Sequence, residues 1–400
     1  MKIFLFHLSS TKIVTGLLFC ILIGVGFNLA LSKPVWNDEI YTQIASVEQH
    51  SYRQMFVGQI AEGNNSPLFY SLQKIICRLF QYQFPLDHNP GVLEDGKSQI
   101  ILRLGPNVFM SLAICLIFYY FSRYYSYWVG IYGLAFALSS LMVWMYWVEA
   151  RPYGLWFLLT TVQAVLFLHL TTTNNLSETS ETVEQNPESR NKTLGWLIGT
   201  HFLLSFTSIF SVAQVVIVAL LLRFRDLKRN LFLALGPVCI ALFYYARAPK
   251  YQFHFTKTFV QLITECVPQD QILMFLLYAA LGMGVVFQQR ILRQKMLFDR
   301  SLREGRHFML YLFLMFMAAL AVLVLFKLGE AHDQKGFGIT HRYFIFLTPV
   351  SLVATTVFSV HFIRAFKAWP WLRINIVMGL SVWMIINFLR NGMWFLWMMY

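Results

Sequence analysis

The sequence predicts an all-α polytopic membrane protein, and three observations carry that prediction. Of 400 residues, 57% are hydrophobic and only 13% are charged, where a soluble domain carries about 25% charged residues. The apolar residues gather in runs, many close to the roughly 20 residues that a helix needs to cross a bilayer. The basic residues fall mostly in short segments between those runs, as orientation in a membrane requires. The net charge of +13 is therefore read as a matter of topology, with a lipid bilayer as partner and no nucleic acid.

Eleven spans are expected, at 13–31, 103–121, 128–147, 152–170, 194–207, 209–223, 231–247, 271–288, 308–327, 342–362 and 372–390. Lys2 and Lys12 precede the first, which exceeds the roughly 7–15-residue core of a cleavable signal. It is read as an uncleaved span with the N-terminus inside. The stretch 194–223 is split near Ser208 because two short helices return Arg223, Arg225, Lys228 and Arg229 to the cytoplasm. The same parity places Arg290, Arg293, Lys295, Arg300, Arg303 and Arg306 inside, with Arg364, Lys367 and Arg373.

Two connections stand out. Residues 171–193 carry Glu178, Glu181, Glu184 and Glu188 among Ser, Thr and Asn and read as a solvated cytoplasmic linker. Residues 33–102 form an outer loop too long for a simple connector. Within it, Ile40, Ile44 and Val47 recur at helical spacing, as do Leu68, Leu72, Ile75, Ile76 and Leu79. Both stretches are expected to be amphipathic surface helices, the second opened by Ser66 as N-cap and Pro67 at its first position. The five cysteines show no metal-type spacing.

Charges at a membrane edge are costly and need a reason. Trp36-Asn37-Asp38-Glu39-Ile40-Tyr41-Thr42 follows the first span, Glu149-Ala150-Arg151-Pro152-Tyr153 lies between the third and fourth, and His341-Arg342-Tyr343 enters the tenth. Read alone, each has a structural account: a helix N-terminus favouring carboxylates, an ion-paired turn, a snorkelling arginine beside an aromatic anchor. Taken together, they bring carboxylates and arginines to one membrane face, where Arg103 can join them. A carboxylate can take a proton from an attacking hydroxyl, and guanidinium groups can grip a departing phosphate.

These motifs resemble the GT-C class of integral-membrane glycosyltransferases, in the group that includes protein O-mannosyltransferases and the aminoarabinose transferase of lipid A. The resemblance rests on Asp38-Glu39 opening the first outer loop, Asn65-Ser66-Pro67-Leu68-Phe69-Tyr70 opening a second surface helix, Glu149, Arg151 and Tyr153 after the third span, and Arg342-Tyr343 at the mouth of a late one. It covers order and topology from residue 1 to about 362. Ser66 replaces the first proline of the usual pair, and Asn65 stands where lysine or histidine is common. Neither a metal site nor a lysine contact is therefore carried over.

The resemblance implies a GT-C fold in a bacterial cytoplasmic membrane, with the active site on the outer side. It implies a polyprenyl-phosphate-linked sugar as donor and a glycan, lipid or protein hydroxyl as acceptor. Asp38 would be the base and Glu39 its partner, with Arg151 and Arg342 on the donor phosphate. Glu149, Tyr153, Arg103, Tyr343 and His341 complete the expected substrate-binding set. No cofactor is carried over, and a divalent metal, though compatible with the carboxylates, is not indicated. The competing expectation is a lipid or polysaccharide transporter or flippase, which is also polytopic and basic. It predicts charges along a path through the bilayer rather than at one rim.

Overall fold

The computed structural model describes residues 2–60, 62, 66–84, 95–177, 187–222, 231–249, 253–254, 308, 310–322, 324, 337–338, 341–365 and 370–397. Helices make up nearly all of this, apart from a two-residue parallel pairing of Phe253–His254 with Phe337–Gly338. Among the described residues, three helices are long and apolar enough to cross a membrane: Ser10–Ser32, Gly96–Tyr124 and Tyr153–Thr172. Five shorter apolar helices accompany them, Tyr127–Ser139, Ser211–Leu222, Phe232–Arg247, Leu310–Val322 and Leu347–Val360. The expected span 271–288 lies outside the described residues.

In chain order the elements are α1 (Lys2–Ser32), α2 (Asn37–Tyr41) running into a π-helical turn (Thr42–Glu48), α3 (Tyr52–Phe56), α4 (Leu68–Leu79) and α5 (Gly96–Tyr124). Then come α6 (Tyr127–Ser139), α7 (Leu141–Tyr146), α8 (Tyr153–Ser177), α9 (Pro187–Ser205) and α10 (Ser211–Leu222). A second π turn (Leu231–Leu235) leads into α11 (Gly236–Arg247), and α12 spans Leu310–Val322. A 3-10 turn (His341–Phe344) precedes α13 (Leu347–Ala365), and α14 spans Pro370–Trp397. The central helix is α5, packed against α1, α6 and α8, while α13 joins α6 and α8. Ile13, Leu17 and Ile21 on α1 and Ile374, Met378, Val382 and Ile385 on α14 stay exposed. Apolar side chains on the outside of a bundle suit a bilayer as surrounding medium.

The expected division near Ser208 is present: α9 ends at Ser205 and α10 begins at Ser211. The expected span 128–147 instead breaks into α6 and α7, because Ser140 turns to extended geometry (φ −79°, ψ 124°). Side chains take up the carbonyls freed at the break: Trp144 Nε1 donates to Leu138 O at 2.7 Å and Asn391 Nδ2 to Ser139 O at 2.7 Å. The linker expected over 171–193 is shorter than its composition implied. Helix α8 continues to Ser177 and α9 begins at Pro187, which leaves Glu178, Glu181 and Glu184 outside the described residues.

The outer loop holds its two expected helices and a third, α3, closed by a capping box. Ser51 Oγ accepts from the Gln54 N–H, and Gln54 Oε1 accepts from the Ser51 N–H. On α4 the expected cap moves by one residue. Pro67 is the N-cap, and Ser66 Oγ is buried without a partner. The Leu68 N–H instead donates to Phe206 O at 2.8 Å, in the α9–α10 turn. Helix α4 buries Phe69, Tyr70, Gln73 and Cys77, packs Leu68, Leu72 and Ile76 half-buried against the core, and leaves Ile75 and Leu79 exposed, so the apolar stripe is shared between the bundle and the outside. Lys74 Nζ crosses to the carbonyls of Val47 at 2.6 Å and His50 at 2.7 Å and holds the end of the π turn.

One contact explains how α4 is fixed to the bundle. Pro106 lies inside α5 and has no N–H for the carbonyl four residues back. That carbonyl, Leu102 O, accepts from Gln73 Nε2 at 2.9 Å, and Gln73 is buried. Gly154 on α8 sits against the same kink, where a Cβ would lie 3.0 Å from Pro106 O. Replacing Gln73→Leu is expected to destabilise the purified protein by about 1–3 kcal/mol, since a buried carbonyl loses its donor. Thermal unfolding reads this, and an unchanged midpoint would show that the contact is idle.

Candidate functional site

The ends of α1, α5, α8, α9, α10, α11 and α13 meet at one end of the bundle, beneath the outer-loop helices. Leu68 bonds to the α9–α10 turn, and Tyr244 Oη near the end of α11 donates to Phe56 O at 3.1 Å. Asp38 and Glu39 stand in the first turn of α2. Successive helical residues diverge by about 100°, so the two carboxylates face different partners.

Asp38 points to the rim. Its Oδ2 accepts from Arg151 Nη1 at 2.6 Å and also from Arg342 Nη1. These partners come from 113 and 304 residues along the chain. The Asp38 side chain keeps 34% of its surface exposed, against 13% and 17% for the two arginines. Each guanidinium also lies over an aromatic ring, Arg151 over Tyr153 and Arg342 over Tyr343, both 5.6 Å to the ring centre. Such stacking contributes about 0.5–2 kcal/mol and holds the fork in place. Tyr343 in turn packs against Phe210 at 6.1 Å, and Tyr153 against Tyr146 at 5.0 Å. Nε of both arginines is buried and has no partner.

Glu39 points inward and is buried with Arg103. Nε and Nη2 of Arg103 reach the two carboxylate oxygens at 3.0 and 2.6 Å. Nη1 donates to Ala30 O at 2.8 Å and to Lys33 O, while Nη2 also reaches Pro34 O at 2.8 Å. A guanidinium has five N–H donors, and these five bonds use them all. None remains for a phosphate, which corrects the expectation that Arg103 joins the substrate-binding set. Its place is structural: it binds the end of α1 to α5 and α2. Glu39 Oε1 further accepts from the Ala150 N–H at 2.7 Å, so the same clamp sets the loop that carries Arg151.

A third carboxylate, Glu62, completes the cluster. It accepts from Arg151 Nη2 at 3.1 Å, Tyr70 Oη at 3.2 Å, Ser46 Oγ at 3.3 Å and Thr42 Oγ1. Thr42 and Ser46 lie four residues apart on the π turn, a helix type frequent at functional sites. Tyr70 closes the Asn65–Tyr70 segment of the sequence, and burial followed by the Glu62 charge pushes its hydroxyl pKa up. The sequence reading missed Glu62. Its one available signal was a lone acid four residues before Ser66 in a chain with 19 acidic residues.

Glu149 sits behind this cluster rather than in it. Its carboxyl is buried, and Oε1 has no hydrogen-bond partner. Burial pushes it up to about 7, opposed by Arg151, reinforced by Glu39 and opposed again by Lys33 and Arg342. Lys33 is shifted down, first by burial. The backbone of His341 opens the 3-10 turn, and its side chain lies outside the described residues. Asn65 is likewise outside them. Among the described residues, no group of three or more His, Cys, Asp or Glu side chains could hold a metal ion.

No protein-family model matches the chain, and no curated protein matches it either. The geometry above is therefore the ground for a functional reading. It offers a half-exposed carboxylate between two aromatic-backed guanidinium groups, with a second carboxylate holding one of them. Such a site can accept a proton and bind an anion within a few ångströms.

Proposed function

We propose that the chain is a GT-C-type glycosyltransferase that moves a sugar from a polyprenyl-phosphate donor to an acceptor hydroxyl at the non-cytoplasmic face of a bacterial cytoplasmic membrane. On this reading the eleven expected spans surround the site. The observation that carries the proposal is the convergence of Asp38, Arg151 and Arg342 at one rim. Charges gathered at one rim favour surface chemistry over the transporter alternative, which needs them along a path through the bilayer.

The reaction is a single in-line displacement that inverts the anomeric carbon. The acceptor O–H bond breaks, its proton goes to the Asp38 carboxylate, and the acceptor oxygen forms the new bond to carbon. The bond from that carbon to the phosphate oxygen breaks, and its electron pair leaves on the phosphate. Arg151 and Arg342 bind the phosphate and stabilise the departing charge. Tyr153 and Tyr343 hold the two guanidinium planes, and Glu62 anchors Arg151. Glu39 and Arg103 act as positioning residues that fix the loop on which Asp38 stands.

The test is sugar transfer from a synthetic polyprenyl-phosphate sugar by purified protein. Arg342→Ala and Arg151→Ala are each expected to weaken donor use by about 10- to 100-fold, through loss of a charge-assisted hydrogen bond, with little change in acceptor use. Lysine rescues poorly, because it lacks the planar fork. Near-normal apparent affinity for the donor in both alanine variants would make the arginines structural anchors and sink the assignment.

A further inference from the structure

We propose that Asp38 holds the seat of the donor phosphate, so that the phosphate displaces the carboxylate from Arg151 and Arg342 and thereby frees the base. This rests on the glycosyltransferase reading above and adds to it an order of events: donor first, then proton acceptance.

Three observations carry the inference. One oxygen of Asp38 takes a donor from each arginine, which is the position an anionic oxygen of a phosphate would need to meet both. Each arginine nevertheless keeps a buried Nε with no partner. A phosphodiester has two free oxygens spread about a tetrahedral centre, so Arg151 can hold one through Nη1 while Arg342 turns its Nε and Nη2 edge to the other. The carboxylate leaves the Arg342 Nε unused, and exchange for phosphate would satisfy it.

The third observation concerns which partner moves. The arginines are the more buried side chains and rest on Tyr153 and Tyr343. Arg151 is held again by Glu62, which is itself fixed by Tyr70, Ser46 and Thr42. Asp38 is the most exposed member and can swing outward with least disturbance. After the exchange Arg151 keeps its Glu62 bond, while Arg342 turns wholly to the phosphate. The oxygen that both guanidinium groups occupy is released by the exchange and becomes available to the acceptor hydroxyl. Without donor the base stays masked, which protects the site from idle proton exchange.

The experiment measures binding of farnesyl phosphate, inorganic phosphate and farnesol to the purified full chain by calorimetry. Farnesyl phosphate is expected to bind Asp38→Ala and Asp38→Asn about tenfold or more tightly than the wild type, since no carboxylate competes. Inorganic phosphate should show the same ratio at lower affinity, and farnesol none, which separates the phosphate from the lipid. In the wild type, carbodiimide labelling of Asp38, read by mass spectrometry, is expected to rise when farnesyl phosphate is added. Unchanged or weaker binding in both Asp38 variants, or protection of Asp38 from labelling, overturns the competition while leaving the phosphate site standing. Loss of neither affinity nor displacement on Arg342→Ala overturns the phosphate site itself and the glycosyltransferase reading with it.

Discussion

Asp38→Asn is expected to abolish sugar transfer, lowering the chemical step by about 100- to 10,000-fold, while the protein remains folded and donor binding is not weakened. Asparagine keeps the size and shape of the side chain and can still accept from Arg151 and Arg342 through its carbonyl. It cannot take a proton. Asp38 is partly exposed, and asparagine keeps an oxygen for the two largely buried guanidinium groups, so the fold is expected to hold. Transfer by purified protein, with thermal unfolding as the control, measures both effects. An active, stable Asp38→Asn protein would show that the loop is not the catalytic centre.

The neighbouring carboxylate is expected to behave in the opposite way. Glu39→Ala or Arg103→Ala should cost about 3–5 kcal/mol of stability, because either change leaves an uncompensated charge in a buried pair. The Arg103 and Glu39 side chains are 2% and 0% exposed. Without Arg103, the carbonyls of Ala30, Lys33 and Pro34 also lose their donor. Arg103→Lys should recover little, since an ammonium has three donors and no fork. Unfolding midpoints and yield of folded protein in detergent read this directly. If Glu39→Gln folds normally but loses transfer, Glu39 is the chemical partner and Asp38 the positioning one.

Asp38, Arg151 and Arg342 were legible in the sequence because a charge at a membrane rim is expensive and few such charges flank the spans. Arg103 was visible for the same reason and misread, since cost alone does not say whether a guanidinium faces a substrate or three carbonyls. Glu62 carried no periodic or motif signal. Its meaning comes from Thr42, Ser46, Tyr70 and Arg151 closing around it, which only the folded chain brings about. The α6–α7 break was hidden because Ser139-Ser140 is unremarkable in an apolar run, and the groups that satisfy the freed carbonyls include Asn391, far along the chain. Basic-residue parity did anticipate the α9–α10 turn, since charge counts either side of a helix decide its direction without any knowledge of packing.

The three arginine pairings at α2 also set an order of assembly during synthesis. Arg103 lies 64 residues after Glu39, while Arg342 lies 304 after Asp38. Chains emerge from the ribosome N-terminal end first, so the inner clamp can close once α1 and α5 are inserted. Arg151, 113 residues after Asp38, follows with α8, and only the Arg342 pairing must wait for α13. The half-made protein therefore holds Asp38 on Arg151 alone, and the rim cluster is completed only with one of the last helices.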